Sequence, residues 1–255
     1  MSAIRISLKL DPTRYERQTF ENLGGELVSE REIFDVATSL MGRQESNILE
    51  IGMGTGRILR NILTPANLVG LDLDRGMVIE FRRLQRAHRS TSPLVHLVVA
   101  DAQSLPFRNG CFGAVVCVRA LKYVKQPRQA ILEMCAALEP GGRLILEFSN
   151  VFAPNSLYYL VRNISKKGPK MRTFLPRTIS LYLHLSGMNV LGMTGWHKLT
   201  PGLTTRMNNS SLLRIVLRLE NILQKSTPPP FLSRSILVRA EKISPSSSDP
   251  KSAFR

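Results

Sequence analysis

The residues best suited to hold a ligand are Glu50-Ile51-Gly52-Met53-Gly54-Thr55-Gly56. Glycine at 52, 54 and 56 lets the backbone come close to a bound group with no Cβ in the way. A short apolar run precedes the turn and a helical pattern follows it. That is where open α/β sheets bind ligands. Dinucleotide enzymes use a similar turn, but their GxGxxG fingerprint needs a glycine at the sixth place. Counted from Gly52 that place is Arg57, so a dehydrogenase reading fails. The spacing is GxGxG, with an acid, Glu50, two residues ahead. Two more acids, Asp72 and Asp101, stand at the ends of later apolar runs.

The elements that must position these residues follow from periodicity. Apolar spacing predicts a helix over 29–41, with Ser29 to cap it and Gly42 to end it. Strands are expected over 47–51, 68–73, 94–100 and 112–118, with helices over 56–63, 75–88 and 127–138 between or after them. Asp74 is placed to cap the helix beginning at Arg75. Pro140-Gly141-Gly142 reads as a turn before a strand over 143–148. Strands alternating with helices imply parallel pairing, and near-continuous apolar strands imply burial on both faces. The rhythm breaks beyond Asn150, and 151–175 reads as a partly helical insert. A helix over 176–186, a strand over 189–196, a basic amphipathic helix over 212–223 and a last strand over 235–243 follow. The Ser- and Pro-rich stretch 244–255 reads as a disordered tail.

Composition excludes several classes. No apolar run reaches the roughly 18 to 20 residues of a membrane span. Met1 to Leu10 alternates apolar and polar residues and lacks a signal-peptide core, so a cytoplasmic protein is expected. Three cysteines, Cys111, Cys117 and Cys135, without CxxC spacing argue against a disulfide framework and against zinc, and no metal is expected. Cys117 reads as a buried apolar residue. Charge is unevenly spread: residues 158–255 carry 16 basic and 3 acidic side chains, or +13, of a total of +16. Such an excess is either a solvated basic surface or an attractor for an anionic partner.

The motifs in order resemble those of class I S-adenosylmethionine-dependent methyltransferases. ILEIGMGTGR at 48–57 is similar to their first motif, VGLDLD at 69–74 to the second, and VVADAQSLPF at 98–107 to the third. FGAVVCVRALKYV at 112–124 resembles the fourth and LEPGGRLILEF at 138–148 the fifth. RSILVRAEKI at 234–243 resembles the antiparallel last strand. Within the superfamily the chain is most similar to the small-molecule branch that includes ubiquinone and menaquinone methyltransferases. The resemblance implies an α/β, Rossmann-like three-layer sandwich with a mostly parallel seven-stranded sheet and an antiparallel last strand. It divides the chain into an N-terminal helical segment over the cofactor (1–46), a methyltransferase domain (47–243) with an acceptor-side insert at about 151–175, and the tail.

The resemblance also implies S-adenosylmethionine as cofactor and assigns roles. Gly52, Met53, Gly54 and Gly56 form the loop against it. Glu50 is expected near the methionine amino group, Asp72 on the ribose hydroxyls, Leu73 beside it, and Met77 against adenine. Asp101 would accept from the adenine amino group and the Ala102 N–H would donate to the ring. Arg119 is expected beneath the methionine moiety. Tyr15, Tyr123 and Asn150 fall on the acceptor side. Two departures stand out. The fourth motif usually opens Phe-Asp, and here it is Phe112-Gly113. A histidine often near its end is replaced by Tyr123, so no catalytic base follows, although Tyr123, His184 and His197 are candidates. The expected activity is methyl transfer to a small-molecule or lipid-linked acceptor. The basic C-terminal part supplies two alternatives in partner, nucleic acid for an RNA methyltransferase and a peripheral membrane contact. Against RNA stand the missing Asn/Asp-Pro-Pro-Tyr/Phe motif, with Cys117-Val118-Arg119-Ala120 in its place, the missing Pro-Cys nucleophile of cytosine C5 enzymes, and few aromatic residues for stacking. A non-catalytic cofactor-binding subunit is the third reading.

Overall fold

A computed structural model describes residues 11–13, 23–41, 47–62, 64–87, 94–153, 155–165, 170–196, 215, 218–219 and 233–244. Tyr15, His197, nearly all of 212–223 and the tail from 245 lie outside them. A single sheet holds seven strands: β1 (Ile48–Ile51), β2 (Leu68–Asp72), β3 (Val95–Val99), β4 (Phe112–Cys117), β5 (Leu138–Ser149), β6 (Met188–Trp196) and β7 (Ser235–Lys242). Their order is β3-β2-β1-β4-β5-β7-β6. The first five pair in parallel, and β7 runs antiparallel to both β5 and β6. The chain order therefore reverses between β1 and β4, where the crevice at the strands' carboxyl ends is the usual ligand position.

Side chains alternate across the strands and split the core in two. Leu49, Ile51, Val115, Cys117, Leu144, Leu146 and Ile236 face one side, against helices α3 (Pro127–Ala137) and α5 (Pro176–Leu185). Ile48, Ala114, Val116, Ile145 and Leu237 face the other, against α1 (Leu23–Ser39) and α2 (Arg75–Ala87). The result is the three-layer sandwich that the family resemblance implied, with the parallel pairing expected from the alternating pattern. Cys117 and Cys135 are buried, with burial pushing the Cys135 thiol up to about 12.

Three local differences have plain causes. First, of the helix expected over 56–63, the described residues 56–62 form no α-helix. A turn leads into a single 3-10 turn at Leu59–Asn61, because Gly56 sits at φ +75°, outside the helical region. Second, β5 starts directly at the end of α3, and the Pro140-Gly141-Gly142 turn lies inside it as a bulge. An advance of two residues on β4 meets five on β5 there. Third, α1 begins six residues before Ser29 and runs through Gly24-Gly25. Tertiary ties hold it: Arg143 Nη1 donates to the Ser39 and Met41 carbonyls, and Trp196 Nε1 donates to Asp35 Oδ2 at 2.7 Å. The insert contains α4 (Asn155–Ile164). Its return arm meets the carboxyl end of β5, where the Phe174 N–H donates to the Ser149 carbonyl at 2.8 Å.

Candidate cofactor site and its polar clamp

The glycine loop leaves β1 with Gly52, Gly54 and Gly56 at φ +69°, +56° and +75°. A Cβ on Gly52 would overlap the Ala120 side chain, and one on Gly56 would overlap the Phe81 ring. Gly54 faces open space, with no atom within 4 Å of where its Cβ would stand. Two glycines thus seat the loop against β4 and α2, and the middle one presents bare backbone to the crevice. Met53 points back into the core with 4% exposure.

Asp72, at the end of β2, turns its carboxylate onto this loop. Oδ2 accepts from the Gly54 N–H and Oδ1 from the Asp74 N–H, both at 2.8 Å. Burial raises its pKa, and these two hydrogen bonds oppose the rise. Asp74 caps α2, accepting the Gly76 N–H at 2.7 Å. Leu73 is exposed between them, and Met77 is buried on the first turn of α2. Asp101 closes β3 and holds Gln103 by its backbone N–H and its side-chain amide, each at 2.9 Å, with Ala102 half-buried beside it. The carboxyl ends of β1, β2 and β3 therefore bring Glu50, Gly54, Asp72 and Asp101 to one rim of the sheet.

Glu50 lies within β1 and is 3% exposed. Its Oε2 is buried with no hydrogen-bond partner. Burial pushes its pKa up to about 8, with nearby Arg57 and the Leu59 N–H working against the rise. A buried, unsatisfied carboxyl oxygen needs a donor. A cationic amine beside the glycine loop would supply one. These residues fit S-adenosylmethionine: a bare-backbone cradle, a strand-end carboxylate and an orphaned acid.

The clamp beside this rim has little signature in sequence. Glu32 on α1 is 1% exposed and carries two arginines. Arg57 Nη2 donates to Oε2 at 2.6 Å, and Arg119 Nη2 and Nε donate to Oε1 at 2.8 and 3.1 Å. Arg57 Nη1 also donates to the Ser29 hydroxyl and carbonyl. Arg119 has φ +61°, and its backbone N–H donates to Glu147 Oε2 on β5 at 2.7 Å. The residue expected under the methionine moiety thus spends its side chain on tying α1 down. The one legible hint was helical: Ser29, Glu32, Val36 and Leu40 share a buried face, and its first half is polar.

Of the acceptor-side residues, Tyr123 is half-buried in the 3-10 turn after β4, with Lys122 Nζ 5.2 Å from its ring centre. Asn150 is 1% exposed, and both ends of its amide are engaged. Nδ2 donates to the Ser233 carbonyl and Oδ1 accepts the Phe152 N–H. His184 is exposed on α5. Among the described residues no group of three His, Cys, Asp or Glu could hold a metal ion, and no helix is long and apolar enough to cross a membrane.

Comparison with known proteins agrees with this geometry. Residues 49–146 match the family model described as a methyltransferase domain. The chain is 28% identical over 145 residues to the O-methyltransferase cnsE of Penicillium expansum, covering 56% of this chain and 50% of that protein. It is 36% identical over 113 residues to the ubiquinone/menaquinone biosynthesis C-methyltransferase UbiE of Bartonella tribocorum, covering 42% of this chain and 43% of that one. The match thus spans half or less of the length of these curated relatives. Magnesium protoporphyrin IX methyltransferase of Synechocystis PCC 6803 shares the fold, with a TM-score of 0.62, 15% identity and coverage of 90% of this chain and 93% of that one. Residues 49–146 thus match a methyltransferase domain, and the seven-stranded sheet has the Rossmann-like fold of the solved methyltransferase. The five motifs read from the sequence fall on β1 to β5 in order.

Proposed function

We propose that the chain transfers a methyl group from S-adenosylmethionine to a small-molecule or lipid-linked acceptor. One observation carries the reading: the switch-point crevice joins a bare glycine backbone at Gly54, the strand-end carboxylate of Asp72 and the orphaned carboxyl of Glu50. In this reading Asp72 exchanges its hold on the Gly54 N–H for the ribose hydroxyls, and Asp101 and the Ala102 N–H meet the adenine edge. Leu73 and Met77 flank the ring, and Glu50 faces the amino group. Bound there, the cofactor supplies an activated methyl on a sulfonium centre. The protein's work is alignment of the acceptor, an effect worth up to several kcal/mol.

The acceptor side is the insert. It places α4 and the return arm at 170–175 beyond β4 and β5, where the Arg172 N–H donates to the Lys122 carbonyl at 2.9 Å. Leu157, Leu160, Val161 and Ile164 on α4 are exposed, an apolar surface suited to an apolar or lipid-linked acceptor. Calorimetry with S-adenosylhomocysteine tests the reading: saturable binding, lost in Asp72→Ala, is expected. Absence of binding to the intact chain would overturn it.

A further inference from the structure

Next to the clamp on Glu32 lies a small polar cavity lined by Glu32, Arg119, Lys122, Glu147, Tyr159 and Arg234. Its charges do not balance. Glu32 is already shared by Arg57 and Arg119. Glu147 receives the Arg119 backbone N–H. Lys122 and Arg234 form no ion pair among the described residues. Arg234 instead directs Nε and Nη2 together at the Tyr159 hydroxyl, each at 3.3 Å. A guanidinium fork is shaped for the two oxygens of an oxyanion, and a single phenol oxygen fills it incompletely. Lys122 is only 9% exposed, and its ammonium has the Tyr123 ring 5.2 Å away and the field of Glu147 but no direct ion pair among the described residues, so burying it is costly. Burial holds the Lys122 pKa below its ordinary value. Burial alone would raise the Tyr159 phenol, but Lys122 and Arg234 outweigh it and bring that pKa down. Ser149 and Ser235 line the same space.

The three groups come from separate elements: the turn after β4, α4 of the insert, and the lead into β7. That puts the cluster on the side of the insert, away from the β2 and β3 ends that hold Asp72 and Asp101. We propose that Lys122, Tyr159 and Arg234 form a binding site for an ionised oxygen group of the acceptor, a carboxylate or a phosphate. The inference rests on the methyltransferase reading and narrows its substrate class to acidic acceptors. The same chemistry would suit one other source, the carboxylate of the cofactor's own methionine tail.

The test uses the intact chain saturated with S-adenosylhomocysteine and titrated calorimetrically with benzoate and with inorganic phosphate at constant ionic strength. Saturable uptake of at least one anion is expected. Lys122→Met and Arg234→Met should weaken it at least about tenfold, the scale of one lost charge-assisted hydrogen bond, with S-adenosylhomocysteine affinity held within about twofold. Arg234→Lys keeps the charge and loses the fork, so the anion should weaken in a chain whose fold is retained. No saturable anion uptake by the loaded chain, or uptake indifferent to these substitutions, overturns the proposal alone. A parallel fall in S-adenosylhomocysteine affinity also overturns it, by assigning the cluster to the cofactor's carboxylate. Failure of the intact chain to bind S-adenosylhomocysteine overturns the methyltransferase reading, and this proposal with it.

Discussion

At the scale of residues, Glu50 is the group whose chemistry the fold changes most. A carboxyl with a pKa near 8 keeps its proton in the folded chain over a range where the unfolded chain, near 4.5, has released it. The folded state then binds more protons, so this group's contribution to stability is full below about 4.5 and is lost as pH rises through about 8. Melting temperatures of Glu50→Gln measured across that range should fall less with rising pH than those of the natural chain. A cationic amine at Oε2 favours the carboxylate, so cofactor uptake at neutral pH should release a proton. Titrations in buffers of different ionisation enthalpy read that release, and it should vanish in Glu50→Gln. Equal release by both chains would remove Glu50 from the site. Gly56 makes a second residue-scale case. Its positive φ and the Phe81 ring both oppose a Cβ. Gly56→Ala should therefore cost at least about 2 kcal/mol in chemical denaturation, and an unchanged midpoint would contradict the loop geometry.

At the scale of elements, α1 is held to the site by polar contacts as much as by packing. Val36 and Leu40 enter the core, while Glu32 reaches into the crevice and takes Arg57 from the glycine loop and Arg119 from the end of β4. Removing Glu32 leaves a buried guanidinium, Arg57, and a part-buried one, Arg119, without their carboxylate. Breaking a buried pair in this way costs about 3 to 5 kcal/mol. Glu32→Ala should show that loss in urea denaturation, together with faster proteolysis of α1 and weaker S-adenosylhomocysteine binding. A variant of unchanged stability would show that the helix docks by its apolar residues alone. Strand positions were legible from sequence because each strand is a short apolar run between turn residues. The 3-10 turn at Leu59–Asn61 was not, because three apolar residues at helical spacing do not reveal that Gly56 sets the chain in a left-handed conformation first.

At the scale of the whole molecule, the charge imbalance and the site are separate features. The glycine loop, Asp72 and Asp101 lie in the nearly balanced first part of the chain, and +13 lies in residues 158–255. Salt screens exposed charges strongly and buried ones weakly. S-adenosylhomocysteine affinity should thus change by less than about threefold between about 50 and 500 mM salt. A steep salt dependence of cofactor binding would link the two.

The sequence by itself determined the order of the strands, the sandwich and the place of the glycine loop. All of these rest on local patterns: alternation, turn residues, and five motifs in a fixed order. The loop's neighbours Glu50, Asp72 and Asp101 were legible for the same reason, since each sits at a strand end that the pattern marks. Only the tertiary structure decided what Arg57 and Arg119 do, because their shared partner Glu32 is 25 residues from one and 87 from the other. It likewise decided that Lys122, Tyr159 and Arg234 share a cavity, since their hydrogen bonds and field act across 75 residues of chain between Tyr159 and Arg234. Charges meet through space, and no spacing along the chain records which of 35 basic side chains will share a cavity.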